Sequence, residues 1–425
     1  MHAVEYGDDS LLPTTIGLAR LARAIYQGED HAPIVAALAS RIAANPGDAA
    51  ALMDLSMLAQ LTGDRSEGLA IQSMALEQSR IYRCVHGTGV GLRVLALFGP
   101  GDFMANTPLD FLFAGSDVTV YYAYTSPSLS LPEQLPQHDV AFVGVTESDA
   151  NRELLSALAD ATVAWPGPVI NRQARLIGEM TRDRMWEIFH SAPDVVAPRN
   201  ARASRTALLR VASGISPLGE LLPEEHFPII VRPVDSHAGA GLVKLGNASA
   251  LLEHVEGTET EEFYIAPFVD YSSADGRFRK YRIVFIAGRP YLAHLAISDE
   301  WMVHYLNAGM HENPARRDEE AEAMLRFDED FAMRHGVALA TVAKLIGLDY
   351  FAIDCAETRE GRLLLFEAGT GMIIHTMDAS DIFPYKQIQM KKIFLAFREM
   401  LEDARRYGMS GADAGGTKTA KPHVT

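Results

Sequence analysis

The most constraining stretch of the 425-residue chain is Leu348–Gly369, LDYFAIDCAETREGRLLLFEAG. Two apolar runs flank the polar segment TREGR, so the stretch reads as a β-hairpin whose strands lie in a core. Two acids, Asp354 and Glu367, sit inside those runs. With Glu360 and Gly361 at the centre of the turn, they lie directly opposite each other and point to one face of the sheet. Opposed like charges destabilise a strand pair. A divalent cation reverses that penalty, and magnesium takes a few carboxylates together with substrate phosphates. Asp354 and Glu367 are therefore candidate metal ligands, with an exposed acidic pair as the plainer alternative.

Two earlier segments add cations. Phe227–Leu245 reads FPIIVRPVDSHAGAGLVKL. It predicts a strand over Phe227–Val231, with Arg232 at its end and Ser236, Gly239, Gly241 and Lys244 in and beyond the following loop. Glycines let backbone N–H groups approach phosphate oxygens, and flanking cations offset the charge; a structural hairpin turn is the alternative. Glu262–Ile286 reads EFYIAPFVDYSSADGRFRKYRIVFI. An extended stretch, Phe263–Val269, meets Asp270. In the strand that follows, Lys280 and Arg282 share one face, while Arg277 and Arg279 share the other. Two aligned cations suit a polyphosphate opposite them, or else a solvated strand face.

Composition narrows the classes. Lys plus Arg number 38 against 55 Asp plus Glu, a formal charge of −17. That argues against nucleic acid or an anionic membrane as the main partner. Nearly half the residues are apolar, as expected of a globular protein with large cores. Cys84 and Cys355 are the only cysteines, and they form neither a disulfide framework nor a zinc pattern. The acidic start MHAVEYGDDS lacks the features of a signal peptide, and no apolar run reaches the length of a membrane span. A cytoplasmic protein is expected.

Along the chain, residues 10–86 or so read as helical. Asn45–Leu76 resembles one tetratricopeptide-type helical hairpin, through Asn45-Pro46, Asp48, Ala51-Leu52, the Gly63-Asp64 turn, and the small residues Gly68, Ala70 and Ala75. From residue 91 the pattern changes. Arg93–Phe98, Val118–Tyr124 and Val140–Val145 read as strands, and Glu153–Leu158 as helical, giving a small α/β domain. Gly99 and Gly101 mark either a plain strand-to-helix turn or a substrate-side binding turn. Strands and helices then alternate to about residue 403, and the last stretch reads as a disordered tail. The expected domains are 1–90 helical, 91–172 α/β, 173–403 carrying the three segments above, and 404–425 tail.

The order of those three segments resembles ATP-grasp enzymes, in particular the glutathione synthetase-like and D-alanine–D-alanine ligase-like members. The resemblance covers about residues 168–400, including PVINRQARLIGEMTRDRMWEIF. It implies an α+β ATP-grasp fold of two lobes, preceded by a small α/β pre-ATP-grasp domain and the α-helical N-terminal region. It implies ATP and Mg2+ as cofactors. Arg184 and Arg232 fall where the family often has lysines touching phosphate. The loop Asp235–Gly241, with Ser236, Gly239 and Gly241, becomes a lid over the phosphates, and Lys280 belongs to the nucleotide site. Ala266–Val269 becomes the adenine hinge. Because Pro267 has no N–H, the donor there is Phe268 or Val269. Asp270 holds the ribose, Arg282 faces the transferred phosphoryl group, and Asp354 and Glu367 bind magnesium. The family often reads Glu-x-Asn at the second metal strand, but the third position here is Gly369. Glu367 bridges two ions with water completing the shells, another acid such as Asp378 contributes, or metal affinity is reduced. Polar residues His294, His304, Asn307 and His375 are candidates for an acceptor pocket.

The expected activity is an ATP- and Mg-dependent carboxylate–amine ligase acting through an acyl phosphate, with Arg282 and Arg232 stabilising charge. Its substrates are small-molecule or peptide carboxylates and amines. Alternatives are an ATP-dependent phosphotransferase acting on a hydroxyl and a degenerate nucleotide-binding adaptor. The N-terminal helices offer a surface for a protein partner or a second copy of the chain.

Overall fold

The computed structural model describes residues 9–234, 236 and 239–408. Four helices open the chain: α1 (Leu18–Tyr26), α2 (Ala32–Ala44), α3 (Ala49–Leu61) and α4 (Arg65–Gln78). Asp48 and Asp64 cap α3 and α4, accepting from the backbone N–H groups of Ala51 and Glu67. Gly68 lets α4 close on α3, because a Cβ there would lie 2.4 Å from Gln60 Cγ and 2.9 Å from the Ser56 carbonyl oxygen.

Helix α1 has glycine at its N-cap and no side-chain cap of its own. Its first amides are held from elsewhere in the fold. Asp54 accepts from Ile16 N at 2.8 Å, and Asp110 accepts from Leu18 N at 2.6 Å. Burial pushes the Asp54 carboxyl up to about 7, against the pull of the Ile16 and Gly17 amides. The folded value lies above the unfolded value of about 3.9, so folding takes up a proton between them. Stability from this group is complete below about pH 4 and is lost as pH rises toward 7. Asp54→Asn is therefore expected to reduce the fall in Tm between pH 5 and pH 8, as thermal melts of both proteins would show.

The first sheet comprises β1 (Ile81–Val85), β2 (Arg93–Phe98), β3 (Thr119–Tyr124), β4 (Val140–Val143) and β5 (Val169–Ile170), in the order β1-β3-β2-β4-β5. The pairs among β2 to β5 are parallel, and β1 joins antiparallel to β3. β1 lies within the span expected to be helical. Ile81, Tyr82 and Cys84 bury against this sheet, and tertiary pairing decides the conformation of so short a segment. The expected Glu153–Leu158 helix extends over Arg152–Val163.

After β6 (Val195–Val196) comes a small antiparallel sheet of β7 (Ala201–Ser204), β8 (Ile229–Pro233), β9 (Val243–Leu245) and β10 (Glu262–Pro267), in the order β7-β10-β8-β9. It has its own core, in which Val231, Phe263 and Ile265 pack against Leu208 and Leu251 of two helices. The last sheet holds β11 (Phe278–Ile286), β12 (Arg289–Ser298), β13 (Tyr350–Glu357) and β14 (Leu363–Gly369), in the order β12-β11-β13-β14-β6. Its core is continuous with that of the first sheet, through contacts such as Phe142 with Tyr350 and Phe397. Phe397 belongs to the long helix Pro384–Tyr407, which runs past the expected end of the domain at 403. Residues 409–425 of the expected tail lie outside the described residues. No helix among the described residues is long and apolar enough to cross a membrane.

Candidate functional site

The β13–β14 hairpin closes through a three-residue loop, Arg359–Gly361, between Thr358 and Arg362, with Gly361 at φ +78°. Glu357 therefore faces Leu363, and an unbroken ladder would set Asp354 against Phe366. A bulge leaves Phe366 without a partner in the register and brings Glu367 opposite Asp354. Without the bulge, Glu367 would point to the other face of the sheet. A second irregularity lies between β11 and β12, where Arg282 pairs with His294 but Ile283 pairs with Leu292. Arg282 also pairs with Asp354. The four strands thus carry one transverse row: His294, Arg282, Asp354, Glu367.

The row is electrostatically matched. Arg282 Nε and Nη2 donate to Asp354 at 2.8 and 3.0 Å, and Lys280 Nζ donates at 2.9 Å. Burial would raise the Asp354 carboxyl, but the charges of Arg282 and Lys280 outweigh it and hold the group well below the usual carboxylate range. Glu367 accepts from Arg182 through Oε2. His294 is held neutral by burial and by Arg282. His304 is depressed by burial, Lys280 and Arg282. Burial, then Lys386 and Arg282, bring His375 down to about 4 against the pull of Asp378. The charge of Arg282 acts on all three histidines. Asn307 accepts from His304 N at 2.9 Å.

A second row crosses the small sheet, where Tyr264 pairs with Arg202 on one side and Arg232 on the other. Arg202 is neutralised by Asp149 and Asp183. Among the described residues Arg232 forms no ion pair. It donates to Ser236 Oγ at 3.1 Å and to the Ser236 carbonyl. Burial, then the charge of Arg182, pushes the Arg232 guanidinium down to about 9. Arg182 is also within electrostatic reach of Asp354, Glu147 and Tyr264. Two partly buried guanidinium groups that repel each other, beside a pair of carboxylates, make a site suited to an anion bridged by a cation.

The remaining candidates fall as follows. Arg184, expected on phosphate, pairs with Glu179, and the guanidinium that reaches Glu367 is Arg182. The two lie two residues apart on the helix Arg182–Phe189, so they point in different directions. In the expected lid, Asp235, His237 and Ala238 lie outside the described residues. Gly239 and Gly241 have φ of +78° and +67°, and a Cβ on Gly241 would also meet Pro233 Cδ at 2.7 Å. At the expected hinge, Ala266 pairs with Ile230, and Phe268 N–H donates to the Pro228 carbonyl at 3.0 Å. Of the two donors considered there, Val269 N–H has no hydrogen-bond acceptor among the described residues. Asp270 pairs with Arg359 at 2.9 Å, and its carboxyl is lowered by the Ser272 amide and then by Arg359. Asp378 is bound to Lys386 at 2.9 Å and to Tyr26 at 3.0 Å. The amides of Gly99 and Gly101 are already taken by Asn106 and Gln72, so that turn docks α4 rather than an anion.

The acid beside Gly369 is Glu147, from the loop after β4. Glu147 is partly buried, accepts from Thr370 N at 3.3 Å, and is pushed up to about 7 by burial. No local sequence pattern marks it.

The donor set suits a hard cation. Carboxylate oxygens are the ligands such ions prefer. Arg182 engages Glu367 through Oε2, and the three donors on Asp354 leave one of its roughly four lone-pair positions.

No protein-family model and no curated protein matches the chain. Among solved structures, it is similar to a RimK domain protein ATP-grasp from Sphaerobacter thermophilus, with 16% identity over 72% of this chain and 98% of that one, at a TM-score of 0.37. It is also similar to D-alanine--D-alanine ligase from Bacillus anthracis, with 15% identity over 74% and 99% of the two chains, at a TM-score of 0.44. VanG D-Ala:D-Ser ligase from Enterococcus faecalis shows 12% identity over 72% and 99%, at a TM-score of 0.42.

Proposed function

We propose that the two charged rows together bind ATP with Mg2+, in the manner of ATP-grasp enzymes, and activate a carboxylate for attack by an amine. The observation that carries this reading is the placement of Arg182 and Arg232. Arg232 has no ion pair among the described residues, and it faces a second cation that lowers its affinity for a proton. A triphosphate relieves that repulsion.

In this reading Arg232, Arg182 and Lys280 take up phosphate charge, and Val269 N–H orients the base. Asp354 and Glu367 would hold magnesium, which would supply positive charge against the phosphates. Arg282 faces the transferred phosphoryl group. The substrate carboxylate oxygen attacks the γ-phosphorus, the bond to the bridging oxygen breaks, and ADP leaves. The amine then attacks the acyl carbon, the carbon–oxygen bond to phosphate breaks, and the amine gives up a proton. The protein's contribution is positioning and charge stabilisation, and no covalent nucleophile on the chain is required.

The test is ADP and phosphate release across a panel of carboxylates, amino acids and short peptides, with product masses recorded. A product lighter than the sum of its two substrates by one water supports ligation. A phosphate ester points to phosphotransfer instead. Nucleotide binding with no ADP from any pair contradicts the ligase reading and favours the adaptor.

A further inference from the structure

Cys84 and His86 lie two residues apart at the end of β1. His86 N donates to the Val118 carbonyl at 2.9 Å, which carries the extended pairing one residue past the strand, so both side chains leave it on one side. Asp110 meets them from the helical turn Leu109–Leu112. His86 Nε2 lies 3.3 Å from Asp110 Oδ1. Cys84 Sγ, a ring nitrogen of His86 and a carboxylate oxygen of Asp110 all fall within 4.8 Å of one another. Ligands on a tetrahedral zinc ion, with bonds of about 2.0–2.3 Å, are spaced about 3.3–3.8 Å apart, so the widest pair here exceeds that by at most about 1 Å. Only two of the three residues are close in sequence, and the third comes 24 residues after His86, so no short spacing pattern marks the set.

Thiolate, imidazole and carboxylate together suit zinc and its neighbours rather than magnesium. Cys84 and Asp110 are only 3% and 4% exposed. Burial, then the charges of Asp110 and Asp54, push the Cys84 thiol far above its usual range. Among the described residues neither acid has a lysine or arginine as ion-pair partner. A bound divalent cation offsets such negative charge and deprotonates a coordinating thiol. Gly17 leaves the sulfur and the carboxylate their room, since a Cβ there would lie 2.6 Å from Cys84 Sγ and 2.9 Å from Asp110 Oδ2. Leu18 N and the Tyr122 hydroxyl donate to Asp110 and orient its carboxylate, as the outer partners of a metal ligand do. A metal ion would take over the remaining contact, between the His86 ring and that carboxylate.

We propose that Cys84, His86 and Asp110 hold a zinc-class divalent cation at the start of α1, at a site separate from the proposed Mg2+–ATP site. The thiol proton leaves to solvent as the sulfur–metal bond forms. Water fills the fourth position from the cavity that Gly17, Asp54, Asp110 and Tyr122 help to line. The ion ties β1, the Leu109–Leu112 turn and the first helix together, and so stabilises the folded chain.

The test titrates Co2+, a spectroscopic stand-in for Zn2+, into the chelator-treated full chain. No nucleotide is present, so the outcome does not depend on the Mg2+–ATP reading. One Co2+ per chain is expected at this site, with a thiolate-to-cobalt charge-transfer absorption, and Zn2+ is expected to displace it and to raise Tm. His86→Gln, a change at a partly exposed side chain, is expected to weaken that binding about tenfold or more, the scale seen even when only the support of a ligand is lost. Cys84→Ser is expected to abolish the charge-transfer absorption, whereas Cys355→Ala, which removes the other thiol, keeps it. No saturable Co2+ binding by the folded wild-type protein, binding without the thiolate absorption, or unchanged affinity in folded His86→Gln overturns the proposal.

Discussion

Asp354→Asn is expected to lower Mg2+-dependent ADP formation roughly 100-fold or more, the scale of losing one strong electrostatic partner in a reacting site. The change also strips Lys280 and Arg282 of their shared counter-charge in a buried setting. Breaking a buried ion pair from one side costs about 3–5 kcal/mol, so a lower Tm accompanies the loss of turnover. Assays well below the lower Tm separate the two effects. The pH dependence follows from the depressed carboxyl. Its folded value lies below the unfolded value of about 3.9, so its contribution is complete above about pH 4 and is lost as pH falls through the folded value. Acid melts of wild type and Asp354→Asn are therefore expected to converge as pH drops below about 4. Turnover at the wild-type rate in Asp354→Asn would remove this residue from the site.

Arg232→Met is expected to act in the opposite sense on stability. The guanidinium has no ion pair among the described residues, and Arg182 repels it. Removing its charge relieves that repulsion while keeping most of the side-chain volume. The unliganded protein is expected to melt at the same temperature or higher. Affinity for Mg2+–ATP is expected to fall about tenfold or more, because a hydrogen bond between charged groups contributes about 1.5–3 kcal/mol. A gain in stability joined to a loss of binding marks a residue held for its ligand rather than for the fold. Lower Tm with unchanged ATP affinity would make Arg232 a structural residue.

The spacing of Asp354 and Glu367 made their pairing legible, but through a turn different from the one that forms. The expected centre between Glu360 and Gly361 gives the observed partners. The real loop is offset, and the Phe366 bulge restores the register. Bulges depend on sheet context, which local alternation does not encode. The strands at Arg93–Phe98, Thr119–Tyr124 and Val140–Val143 were legible because each is a compact run of apolar and β-branched residues between turn signals. β1 was not, since its support is tertiary, from pairing with β3 on one side and from the Pro13–Thr15 segment on the other. That Arg182 rather than Arg184 reaches Glu367 was not legible. The choice between them depends on where the helix starts, and Thr181 provides no side-chain cap to mark that point.

The most direct test of the account is a calorimetric titration of the unliganded protein with ATP, once with Mg2+ and once with the metal chelated, repeated with Arg232→Met. The account predicts saturable binding of one ATP per chain that weakens on chelation and weakens again in the variant. Absence of binding to the wild-type protein, or binding indifferent both to Mg2+ and to Arg232, would contradict it.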